Sequence, residues 1–128
     1  MRIERAQPRS LRSLRLMNVE DFFEYCQSLS EDVTSDFPFD ETTLVVRIEN
    51  KIFAMFDVDD FDGGVNLKCD PERAIELREE YNGIQPGYHT NKKHWNLVFP
   101  NSDVPDTLLK ELIQHSFSLV KPKTKKKK

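Results

Sequence analysis

The chain has 128 residues, 38% hydrophobic and 32% charged, enough for one domain around one modest core. No run of about eighteen apolar residues occurs, which excludes a membrane-spanning helix, and two cysteines are too few for a disulfide scaffold. Four glycines, none at phosphate-loop spacing, argue against a nucleotide-cradling loop.

A formal net charge of −3 hides three zones. Residues 1–17 carry five arginines against Glu4, and the stretch from Lys121 to Lys128 carries six lysines and no acid. Between them, Asn18 to Val120 sums to −13. The expected organisation is therefore a leader over 1–17, a folded domain over 18–120 and a disordered lysine-rich tail over 121–128. Met17 is a candidate true start. An acidic body repels phosphates within about 8 Å at physiological salt, so any nucleic-acid contact needs a local cluster of cations.

In chain order, Asn18 is a candidate N-cap, followed by Val19, Phe22, Phe23, Cys26 and Leu29 at helical spacing. Thr34–Asp40, with Phe37-Pro38-Phe39, reads as an extended piece broken by proline. Leu44–Ile48 and Lys51–Phe56 flank Glu49-Asn50, a hairpin signal. Asp57–Gly64 is an acidic loop. Val65–Cys69 alternates as a half-buried strand does. Asp70-Pro71-Glu72 opens a helix whose stripe is Ala74, Leu77 and Tyr81, with Gly83 as its stop. Asn96–Phe99 makes another strand. Pro105 opens a last helix with Leu108, Leu109, Leu112, Ile113 and Phe117 inward, ending before Pro122. Short strand connections predict an α+β fold, its mainly antiparallel sheet covered by helices on one face.

Several residue groups invite a chemical reading. Asp57, Asp59, Asp60 and Asp62 supply oxygen ligands, but Phe61 and Lys68 stand where a calcium-hand loop needs acids, so a solvated turn is preferred. Cys26, Cys69, His89, His94 and His115 lack the close pair spacing of a zinc site. Cys69 is a formal nucleophile, yet its place before an N-cap suits a strand residue, and no catalytic role, metal or cofactor is expected. Tyr88-His89-Thr90-Asn91-Lys92-Lys93-His94-Trp95 is the internal segment that clusters cations, imidazoles and aromatics. Lysines meeting phosphates, with Tyr88 or Trp95 stacking on bases, fit nucleic-acid binding; the plainer reading puts Trp95 in the core and the lysines in a solvated loop.

Three blocks, Val65–Glu72, Gly83–His89 and Asn91–Asn96, resemble the MmcQ/YjbR family of small bacterial proteins. The likeness extends to Met17–Glu20, Phe37–Phe39, Lys51–Ala54 and Ser116–Val120, and so covers residues 17–120. Thr90 departs from the family's usual apolar residue, and the basic ends lie outside its pattern. The resemblance implies a CyaY-like, double-wing α-β sandwich, labelled DNA-binding from its fold. Lys68, Tyr88, His89, Lys92, Lys93, His94 and Trp95 occupy its motif positions. The expectation is a monomeric, cytoplasmic, non-catalytic protein with weak, largely sequence-independent DNA affinity and no membrane partner. The alternative is a protein- or metal-interaction module that uses the acidic loop.

Overall fold

The computed structural model describes residues 17–87 and 90–121; Tyr88, His89 and nearly all of the expected leader and tail lie outside the described residues. Helix α1 (Val19–Ser28) starts on a capping box, in which the Asn18 side chain accepts from the Asp21 N–H and the Asp21 carboxylate accepts from the Asn18 N–H. A short edge strand β1 (Val33–Asp36) leads to the hairpin of β2 (Thr43–Ile48) and β3 (Lys51–Asp57). Glu49 and Asn50 both take positive φ, 49° and 71°, as a two-residue hairpin turn demands. A single helical turn (Phe61–Gly63) precedes β4 (Val65–Lys68).

Helix α2 (Pro71–Glu80) begins where the Asp70 carboxylate accepts from the Arg73 N–H. Its end differs from expectation. Tyr81 is already extended, and among the described glycines only Gly64 has positive φ. Gly83 is instead required by crowding, because a Cβ there would come 2.2 Å from Ser102 Oγ. Strands β5 (Ile84–Pro86) and β6 (Trp95–Val98) and helix α3 (Asp106–Val120) complete the fold. Strand β5 has no counterpart in the sequence reading.

The sheet has six strands in the order β1-β2-β3-β4-β6-β5, and all five pairings are antiparallel. The row Leu44, Phe56, Val65, Val98 and Ile84 belongs to the buried core together with Phe22, Ala74, Leu109 and Ile113 of the helices. Phe22, Phe56 and Phe61 meet edge to face, with centroids 5.0–6.0 Å apart, joining α1, β3 and the helical turn. Burying each such ring contributes roughly 1.5–3 kcal/mol. Met17 is also core, 6% exposed, and its backbone N–H and carbonyl are both held by the Asn101 side chain. The fold is thus α+β, with the helices packed on one face of an antiparallel sheet.

The opposite face carries the alternate row, Val45, Met55, Asn66, Leu97 and Gln85, and among the described residues no helix lies over it. Two side chains on it are buried nonetheless, Val45 at 0% and Asn66 at 8% exposure. The half-buried alternation expected for Val65–Cys69 therefore fails at Asn66, which sits between its register partners Met55 and Leu97.

Candidate binding face

Lys68 ends β4 opposite Trp95, its register partner on β6. Cross-strand partners project from the same face, so the ammonium and the indole share the uncovered side of the sheet. The position of Lys68 is fixed from behind. The β3–β4 pairing stops at Ala54 and Leu67, and just beyond it the Ser116 hydroxyl of α3 bridges the gap. It donates to the Phe53 carbonyl (2.5 Å) and accepts from the Lys68 N–H (2.9 Å). The next residue, Cys69, donates to the His94 carbonyl at 2.8 Å, which carries the ladder into the following turn.

That turn, Asn91–His94, is closed by the His94 N–H on the Asn91 carbonyl (3.2 Å) and by the Lys93 N–H on Asn91 Oδ1 (2.9 Å). Lys93 is exposed at its tip. Lys92 folds back: its Nζ donates to the Gly87 carbonyl at 3.0 Å, tying the two ends of the loop. His94 is half-buried, with its carbonyl used by Cys69. Among the described residues the ion pairs within 4.0 Å are Arg47–Asp36 and Arg73–Glu111, so no described carboxylate pairs with Lys68, Lys92 or Lys93 within that distance. Of the seven candidate residues, the structure sets Lys68 and Trp95 side by side, with Lys93 and His94 in the adjoining turn. It makes Lys92 partly a structural strut, while Tyr88 and His89 lie outside the described residues.

Arg78 holds this segment to α2, a role the sequence reading missed. Its Nε donates to Asn96 Oδ1 at 2.7 Å, and its terminal nitrogen donates to the carbonyls of Trp95 (3.3 Å) and Lys92. Asn96 is 2% exposed and also donates, at 3.5 Å, to the Ala74 carbonyl. A signal was present: Arg78 lies four residues after Ala74, on the inward stripe of a helix whose net charge is acidic.

Beside Trp95 the uncovered face is hollow. A cavity of about 670 Å³ runs over Met55, Asn66 and Leu97, between Phe39 of the β1–β2 connection and Thr90 of the β5–β6 connection. Asp57 and Asp60 line it from the acidic loop, and Gly64 closes one wall at φ 110°. Asp59 is exposed, and Asp62 accepts from Asn101 Nδ2 at 3.1 Å. The four aspartates thus face different surroundings, and among the described residues no three histidine, cysteine or acidic side chains gather as a metal site. Burial pushes the Cys26 thiol up to about 12 and the Cys69 thiol up to about 11, away from any thiolate nucleophile at neutral pH.

Comparison with known proteins agrees with this architecture. The YjbR family model matches residues 28–119. The protein named YbdF of Escherichia coli O157:H7 is 38% identical over 84 residues, 66% of this chain and 69% of that one. The protein named YjbR of Escherichia coli K12 is 27% identical over 104 residues, 79% and 85% of the two chains. Among solved structures, Deinococcus radiodurans DR2400, of domain family DUF419, superposes with a TM-score of 0.76 at 38% identity, covering 87% of this chain and 81% of that one. A Pseudomonas syringae protein gives 0.70 at 29% identity, covering 82% of this chain and all of the other.

Proposed function

This chain belongs to the YjbR family, and from its own geometry we infer that it acts by binding rather than by catalysis, through the uncovered face of its sheet. The partner is DNA, held weakly and with little regard to sequence. Phosphates sit against Lys68 and Lys93, with a further contact from Lys92, and an unpaired base lies on the Trp95 ring. One observation carries the reading: Lys68 and Trp95 are register partners on a side of the sheet that no described helix covers. A cation next to an aromatic plane is what backbone-plus-stacking recognition requires.

The −13 body limits this affinity, because the long-range field opposes phosphate and the favourable contact is local. Binding is therefore strongest at low salt and prefers frayed or single strands, whose bases can reach the indole. The buried, raised-pKa thiols support a non-catalytic role. Fluorescence anisotropy with labelled single-stranded and duplex oligonucleotides, titrated across salt, tests the proposal. Single strands should bind more tightly, and Lys68→Ala should lower the salt slope by about one phosphate contact. The same affinity for Lys68→Ala and parent at every salt concentration, or no binding at low ionic strength, refutes it.

A further inference from the structure

The cavity beside Trp95 shares that ring with the DNA reading but has an acidic lining that the DNA reading does not use. Its walls include the apolar side chains of Phe39, Met55, Leu97 and Trp95, while its charged lining among the described residues is Asp40, Asp57 and Asp60, with no lysine, arginine or histidine. At about 670 Å³ it lies inside the range of roughly 300–1,000 Å³ typical of small-molecule sites. We propose that this cavity binds a small amphiphilic cation, an amine whose apolar body lies over Met55, Leu97 and Trp95 and whose ammonium meets Asp57 and Asp60.

The three carboxylates differ in what they can offer. Asp40 is occupied, accepting from the Thr42 N–H at 3.0 Å, the Thr43 N–H at 2.6 Å and the Thr43 hydroxyl at 3.0 Å. These bonds hold its carboxyl below the usual carboxylate range, so it contributes fixed negative charge. Asp57 uses Oδ1 for the Asp59 N–H at 2.8 Å and keeps Oδ2. Asp60, exposed, makes no side-chain cap bond to the helical turn it precedes. Acceptor capacity therefore faces the cavity without a donor, in a body already at −13 that repels anionic ligands.

The aromatic lining agrees with this sign. Trp95 and the 65% exposed Phe39 line the cavity, and aromatic rings attract a cation while covering an apolar body. Thr90 also lines the cavity, and its Oγ1 is buried with no hydrogen-bond partner in the described structure. An orphaned buried hydroxyl costs stability that an incoming donor recovers. An anionic occupant of the same shape is repelled, and a neutral one gains nothing from the carboxylates.

The test uses the full chain and three probes of one shape: phenethylamine, phenethyl alcohol and 3-phenylpropionate. Trp95 is the single tryptophan, so its fluorescence reports the site directly, and backbone amide shifts locate it. The amine should bind at least about tenfold more tightly than the alcohol, the carboxylate should leave the signal unmoved, and shifts should concentrate at Met55, Thr90 and Leu97. Asp57→Asn with Asp60→Asn, which keeps shape and the Oδ1 acceptor, should lower amine affinity about tenfold with an unchanged melting curve. Lys68→Ala should leave amine affinity within about twofold. Equal binding of the three probes, full affinity in the double asparagine variant, or shifts confined to another face overturns the proposal. A failure of DNA binding does not, since that assay reads Lys68 and this one reads Asp57 and Asp60.

Discussion

Replacing Arg78 by methionine tests how the binding face is held. The substitution keeps most of the aliphatic stem but removes the donors to Asn96, Trp95 and Lys92. The bond to Asn96 Oδ1 dominates, because a charged donor meets a 2% exposed acceptor. Such a bond is worth about 1.5–3 kcal/mol. The Trp95 and Lys92 carbonyls are nearer solvent, and losing their donor adds about 0.5–1 kcal/mol. The expected total is about 2–4 kcal/mol, a large share of a domain stability on the order of 5–15 kcal/mol. Urea denaturation followed by far-ultraviolet dichroism reads it as a lower midpoint at unchanged slope. Arg78→Lys should recover less than half, since one ammonium on a flexible stem cannot serve three divergent acceptors. A shift of Arg78→Met below about 0.5 kcal/mol would show that Asn96 and the turn hold themselves, and the positioning argument would fail.

Three further outcomes follow from the same geometry. His115 Nε2 accepts from the Asp70 N–H at 3.1 Å, and burial, followed by the nearby Arg73 charge, lowers its pKa from 6.5 despite the opposing charges of Asp70 and Glu111. The unfolded chain then takes up the proton first, so this contribution is whole above pH 6.5 and is lost as pH falls from there through the folded value; His115→Gln should flatten that part of the stability–pH profile. Gly64→Ala places a Cβ 2.6 Å from Leu97 Cδ1 at φ 110°, and should cost about 1–3 kcal/mol in denaturant titration. The thiols of Cys26 and Cys69, raised to about 12 and about 11, should react with a disulfide reagent at neutral pH only at the rate of unfolding, whereas rapid native labelling would contradict their burial.

The parts of the fold legible in the sequence were those written in local chemistry. Asn18, Asp70 and Pro71 cap helices because their side chains or ring satisfy a helix start by themselves, and Glu49-Asn50 closes a hairpin whose strands alternate around it. Strand β5 was not legible, since three residues ending in proline carry no period and pair only through β6. Gly83 does not act as the expected helix stop, because its cause is a contact with Ser102, nineteen positions away in the chain. The cluster at 88–95 was visible as composition. Its division into a face residue (Trp95), a strut (Lys92) and an exposed tip (Lys93) depends on Arg78 reaching across from α2 and on the Lys92 bond to Gly87. The cavity was invisible, because Met55, Asn66 and Leu97 meet only through strand register.

The central claim is that the uncovered side of the sheet is where partners bind, and amide chemical-shift mapping with a short single-stranded oligonucleotide at low salt tests it most directly. The account predicts shifts at Lys68, Lys93 and the Trp95 indole N–H, with the helix-side residues Ala74 and Leu109 unmoved. Shifts confined to the outer surfaces of the helices, or none at all at saturating oligonucleotide, would contradict it.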